Sequence, residues 1–287
     1  MRCQMRLHSL PLSFIVLVFF VFYLCNASSA LEVRVSPEEV FPGDAFIIQV
    51  TDMKIMKMSP VSFMGKKFYF SHYAEHCFIA VGVVEMKTLP GVYPVNLEVG
   101  KKRESKDIVI KPIRFPTMEL TLPDNEVFLS TENLKRVKKE ERRLRSIFRE
   151  VNRRLWEGDF ILPLENEISN PYGTKRIFNE KRISLHRGMD IRGEEGEEVM
   201  ASNHGRVVLV EELFFGGNTV ILDHGQGLYT LYMHLSKSNV RLGEMVLKGR
   251  IIGFVGSSGR SSGPHLHFGV KIMDTNVNPL SLVELDI

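Results

Sequence analysis

Through most of the chain, apolar residues come in short alternating or continuous runs broken by Gly and Pro. Val33-Arg-Val-Ser-Pro37, Ala45-Phe-Ile-Ile-Gln-Val50 and Val92-Tyr-Pro-Val-Asn-Leu-Glu-Val99 are alternating or β-branched, and Pro42-Gly43, Pro90-Gly91 and Gly100 bound them. Such runs predict strands separated by turns. At this spacing, residues 31–112 read as a small immunoglobulin-like β-sandwich. The Cys-Trp-Cys pattern of antibody domains is missing, so the reading concerns architecture alone.

The period changes within residues 113–159, read as a linker. From Thr131 to Trp156, Leu134, Val137, Leu144, Phe148, Val151 and Leu155 recur at three- and four-residue steps. This is one apolar helical face, interrupted by Glu141. Lys138, Lys139, Arg142, Arg143 and Arg145 make the other faces basic, and interleaved Glu favours a solvated surface over a polyanion site. The stripe is too short for a coiled coil and calls for a neighbouring surface. From Phe160 to the end, Gly205–Val210, Asn218–Asp223, Leu228–Tyr232 and Arg250–Val255 again read as strands. The expected fold is mainly β, with one connecting amphipathic helix and a second β domain over 160–287.

The first thirty residues differ from the rest. Arg2 and Arg6 precede an apolar run from Phe14 to Leu24, followed by Asn26-Ala-Ser-Ser-Ala30. This is the layout of a secretory signal peptide, with cleavage expected after Ala30. The run is short for a membrane span of about 20 residues, so no stable span is expected after cleavage. An uncleaved anchor is the alternative. Bulky Leu24 before Cys25 argues against a lipoprotein signal. Cys77 is then the one cysteine of the exported chain, which excludes an internal disulfide. A net charge of +3 is too small to argue for nucleic acid.

Two segments carry candidate chemistry. His186-Arg-Gly-Met-Asp190 holds a histidine and a carboxylate, and His265-Leu-His267 holds two histidines. Residues two apart in a strand project from one face, so both members of the second pair can face a single cleft. Catalytic zinc is typically held by three ligands of these types, with an open fourth position.

The stretch from Gly249 to Phe268 resembles the last motif of the lysostaphin/LytM-type zinc endopeptidases, family M23. His186-Arg-Gly-Met-Asp-Ile191 resembles the family's first motif, and Tyr232-Met-His-Leu235 its middle one. The resemblance runs from about Phe160 to Pro279. It implies an antiparallel β peptidase domain with one zinc ion held by His186, Asp190 and His267. It also implies two catalytic, non-ligand histidines, His234 and His265. One accepts a proton from water, and either can donate a hydrogen bond or proton as the tetrahedral intermediate forms. The implied substrate is a peptide link in bacterial peptidoglycan, cut in the periplasm or cell envelope. The alternative is a non-enzymatic regulator that binds peptidoglycan and activates amidases, against which the full set of five residues argues.

Weaker features have simpler readings. His224 and His204 read as turn or structural residues. His72 and His76 share strand parity without a convincing third ligand. Gly269 stands where many relatives carry Glu, which removes an outer hydrogen bond or charge but no ligand. Several relatives carry segments that block the groove, so contact between the region before Phe160 and the catalytic groove is expected.

Overall fold

The computed structural model describes residues 31–52, 57–100, 102–121 and 129–287. The expected signal peptide lies outside the described residues. Among these, no helix is long and apolar enough to cross a membrane.

The chain is mainly β. The predicted sandwich forms from two sheets. One joins Glu32–Ser36, Ala45–Thr51, Cys77–Val83 and Ser71–Ala74; the other joins Glu39–Val40, Lys102–Ile110, Gly91–Val99, Val61–Phe63 and Lys66–Phe68. Alternation decides which side chains go inside. In Glu32–Ser36, Val33 and Val35 are buried while their neighbours are exposed. Phe46 meets Phe63 edge-on at 5.2 Å between ring centroids, and Phe68 at 6.5 Å. Each such buried side chain is worth roughly 1.5–3 kcal/mol of transfer free energy.

The second unit is built on a ten-stranded antiparallel sheet. Its central order runs Ile168–Asn170, Met189–Arg192, His265–Ile272, Leu228–Ser238, Gly217–Gly225, Gly205–Leu213 and Met245–Val246. A hairpin, Lys175–Phe178 with Arg182–Leu185, stands beside it. Thr117–Leu120, within the expected linker, adds a parallel strand to that hairpin. The two β units touch through specific bonds. Ala45 N–H donates to Ser281 Oγ at 2.9 Å, Asn278 Nδ2 to Asp44 Oδ1 at 2.9 Å, and Gln226 Nε2 to Tyr69 O at 2.6 Å.

The predicted helix spans Thr131–Ile147 and stops nine residues before Trp156. Ser130 caps its start, accepting from Asn133 N–H at 3.1 Å. Its end is set by tertiary contact, because the Tyr229 hydroxyl lies 2.8 Å from the carbonyls of both Ile147 and Glu150. A free helix leaves its last carbonyls without partners. Beyond it the chain runs to the ten-stranded sheet, where Leu155 N–H donates to His224 O at 2.8 Å. The apolar stripe finds its surface on that sheet: Phe148, Leu144 and Ile147 pack with Leu209, Ile221, Tyr229 and Leu231. Part of the basic face is engaged as well. Arg143 pairs with Glu211, and Arg136 donates to Glu212 O at 3.1 Å.

Candidate active site

Strand register assembles the site. Asp190 is paired directly with His267 across adjacent antiparallel strands, and Arg192 with His265. Directly opposed residues lie on one face of a sheet, so Asp190, His265 and His267 share that face. His186 enters from the turn before Met189–Arg192, held by Gly173 N–H donating to its carbonyl at 2.9 Å. Gly188 is required at this turn by space. A Cβ there would lie 2.5 Å from Phe268 O and 2.7 Å from His267 Nε2.

His234 reaches the site differently. Met233 is paired with His267, so the next residue of a regular strand would point to the opposite face. His234 instead has φ 63°, in the left-handed region. A non-glycine residue in this conformation costs about 1–3 kcal/mol and is found at functional sites. The turn brings the His234 ring to 4.7 Å from that of His265 and 6.0 Å from that of His267.

Three donor atoms converge. His186 Nε2 lies 3.0 Å from Asp190 Oδ1 and 3.0 Å from His267 Nδ1, and His267 Nδ1 lies 2.7 Å from Asp190 Oδ1. Among the described residues, His186, Asp190 and His267 form a group able to hold a metal ion. The tautomers fit a cation. His186 Nδ1–H donates to Pro171 O at 3.0 Å, which leaves the Nε2 lone pair facing the other two ligands. With the proton of His267 on its outer nitrogen, three lone pairs face one point, and a divalent cation is what stabilises that arrangement. Without a metal ion, burial opposes ionisation of Asp190, but protons on the inner nitrogens of His186 and His267 outweigh it through hydrogen bonds and charge and hold the carboxyl well below the usual range; a bound cation would take the place of those protons.

The remaining two histidines are fixed in one orientation. His234 Nδ1–H donates to Ser258 O at 2.8 Å, and His265 Nδ1–H donates to Gly263 O at 2.8 Å. Each thereby presents Nε2 as an acceptor. His265 Nε2 lies 3.8 Å from Asp190 Oδ1. Burial pushes the His234 pKa down to about 4, with the Ser258 carbonyl opposing, so its ring is neutral at physiological pH.

All five residues singled out in the sequence meet here. Two that were missed support them. Arg176 Nη2 donates to Asp190 Oδ2 at 2.8 Å, and Asn170 Nδ2 donates to the same oxygen at 3.0 Å. They hold the carboxylate so that Oδ1 faces the histidines. Nothing in the sequence marks them, since Arg176 is one of many basic residues and only the hairpin register aims it. Arg260, also missed, stacks on Phe215 at 4.3 Å and reaches Phe178 at 5.9 Å, tying the turn after Gly205–Leu213 to the end of the strand Lys175–Phe178.

His224 is buried, 2.7 Å from both His204 O and Thr230 Oγ1, and is structural. His72 packs edge-on against Phe78, and neither His72 nor His76 belongs to a metal-capable group among the described residues. Gly269 lies between His267 and Leu231, where an added Cβ would make ordinary contacts at 3.5–3.9 Å. The contacts recorded for the helix involve the sheet and its Glu211–Phe214 edge, not the five site residues. The expected contact of the N-terminal region with the groove thus finds no support.

The description of peptidase family M23 matches residues 184–279, which include all five site residues. The chain is 40% identical over 115 residues to the DD-carboxypeptidase/endopeptidase Mpg of Neisseria meningitidis, covering 40% of this chain and 26% of that protein. It is 36% identical over 114 residues to the peptidoglycan DD-endopeptidase ShyA of Vibrio cholerae, covering 39% and 26%. The match thus spans about a quarter of the length of these relatives. A crystal structure of a Pseudomonas aeruginosa chain assigned to peptidase M23 superposes with a TM-score of 0.63 at 26% identity, covering 85% of this chain and 94% of that one. Motifs, convergent donors and relatives agree: residues 184–279 are a domain of peptidase family M23.

Proposed function

We propose that this chain is an exported zinc metalloendopeptidase that hydrolyses peptide bonds in the stem peptides or cross-links of bacterial peptidoglycan. The observation that carries the reading is the convergence of His186 Nε2, Asp190 Oδ1 and His267 Nδ1 beside two further histidines whose Nε2 atoms are free to act. Zinc held by these ligands would supply Lewis acidity toward a scissile carbonyl and toward water. The protein's own part is to place two imidazoles at that point. One of the pair His234 and His265 takes a proton from the attacking water. Its partner donates a hydrogen bond to the oxygen on which negative charge develops, or a proton to the leaving amine. The backbone carbonyls of Ser258 and Gly263 keep both rings from turning. Arg176 and Asn170 keep Asp190 oriented.

The substrate class comes from the relatives named as peptidoglycan endopeptidases, and the export from the pattern of residues 1–30. The test is the purified chain with its zinc content measured, incubated with defined peptidoglycan, and the released fragments identified by mass spectrometry. New amino and carboxyl termini that vanish with chelation and return with zinc are expected. Binding to peptidoglycan without hydrolysis at full zinc occupancy would refute the enzyme and favour the regulator.

A further inference from the structure

A cleft of about 810 Å³ opens where the sandwich, the helix and the catalytic sheet meet. Lys66 and Lys87 line it from the sandwich, Arg145 from the helix, and Arg182, Arg187 and Lys271 from the catalytic unit. Its two acids, Glu85 and Asp274, are already paired, to Lys66 at 3.0 Å and to Lys271 at 3.2 Å. Positive charge is therefore in excess across walls contributed by three separate parts of the fold. Those walls are held in place by the bonds of Asp44 to Asn278 and of Ala45 to Ser281.

Two details indicate a binding site over a merely solvated surface. Lys271 is half-buried, and burial together with nearby Arg187 and Arg145 pushes its pKa down while Asp274 opposes. Cations gathered in a partly dry cleft repel one another, and an incoming anion relieves that cost. In addition, the Thr275 hydroxyl in the cleft wall is buried with no hydrogen-bond partner.

The cleft is joined to the metal site. Arg187 directly follows His186. Lys271 lies on the same strand and the same face as His265 and His267, four residues from His267, or about 13 Å along the strand. An extended chain held at the metal ligands can reach it. We propose that this cleft binds carboxylate groups of an acidic peptide whose scissile bond lies at the metal site, and so selects substrates bearing free carboxylates. The proposal rests on the peptidase reading above and adds where the substrate's negative charge is recognised. The arginine fork matches a carboxylate in two-point contact.

The experiment uses the full chain and two soluble synthetic stem peptides. One bears two free carboxylates, and the other is its carboxamide. Calorimetric titration at low salt should show the acid binding about tenfold more tightly than the amide, the scale of one charge-assisted contact. The exposed pair K87E/R145E should lose that preference while keeping its circular dichroism spectrum and zinc content. If that variant misfolds, Arg145→Gln and the loss of wild-type preference at high salt decide the matter. Equal or absent binding of the two peptides by the wild type overturns the proposal, even if zinc-dependent cleavage of peptidoglycan is intact. Tighter binding of inorganic polyphosphate than of the acidic peptide overturns it in favour of a phosphate polymer. Charge-dependent binding without any hydrolysis keeps the cleft and refutes the peptidase.

Discussion

Replacing His265 and His267 one at a time separates two roles that a single strand face brings together. Tetrahedral zinc with bonds of about 2.0–2.1 Å holds neighbouring ligand atoms about 3.3 Å apart. The three donors lie 2.7–3.0 Å apart, so an ion entering moves each by only a few tenths of an ångström. His267 is one corner of that triangle, whereas His265 stands outside it with Nδ1 bound to Gly263 O. His267→Ala should lower bound zinc far below one per chain and abolish turnover. His265→Ala should keep nearly one zinc and lose turnover by about 10²–10⁴-fold, or about 3–5 kcal/mol of transition-state stabilisation. His234→Ala should behave like His265→Ala. The assays are metal content after gel filtration, release of soluble fragments from peptidoglycan, and thermal melting as a control for folding. Zinc loss in His265→Ala as complete as in His267→Ala would show that the roles are wrongly divided. Near-normal turnover in His234→Ala would end the two-histidine mechanism.

Other expectations follow from single contacts. Arg176→Ala leaves Asp190 Oδ2 held by Asn170 alone and should weaken zinc binding about 10–100-fold, measured by competition with a chelating dye; unchanged affinity would remove Arg176 from the site. Gly188→Ala drives a Cβ into Phe268 O and the His267 ring and should lose zinc; a variant with normal zinc content would show that the turn can yield. Gly269→Glu has room for its Cβ and should bring a carboxylate near His267 Nε2, tightening zinc about tenfold; weaker binding would contradict this. Burial pushes His224 from 6.5 down to about 4, so between those values the unfolded chain binds the extra proton. Its contribution is fully present above pH 6.5 and is lost as pH falls toward 4, about 3 kcal/mol in all. Denaturant titrations with chelator present should show a smaller acid loss in His224→Gln than in the wild type, and identical pH dependence would refute the assignment.

Much of this was legible before any coordinates. Alternation of valines and isoleucines is a local property and locates strands well, because burial of one sheet face needs a period of two. The HxxxD and HxH spacings likewise carry their chemistry locally, since two residues apart on a strand means one face. The helix ends nine residues before Trp156, the limit that its apolar period predicts. Its apolar period continues through Val151 and Leu155, but Tyr229, some eighty residues away, caps the carbonyls of Ile147 and Glu150.

By itself, then, the sequence determined the strand-rich composition, the helical stripe and the motifs whose five residues meet at the candidate site, because each depends on neighbours within a few positions. Tertiary structure alone decided what depends on register and contact between distant segments. The pairing of Asp190 with His267 is one case, and the left-handed turn that swings His234 into the site is another. Arg176 on Asp190 and the cationic cleft between sandwich, helix and sheet are of the same kind. Charged side chains are mostly solvated and leave no periodic trace. Which of them converge is set by the packing of the whole chain.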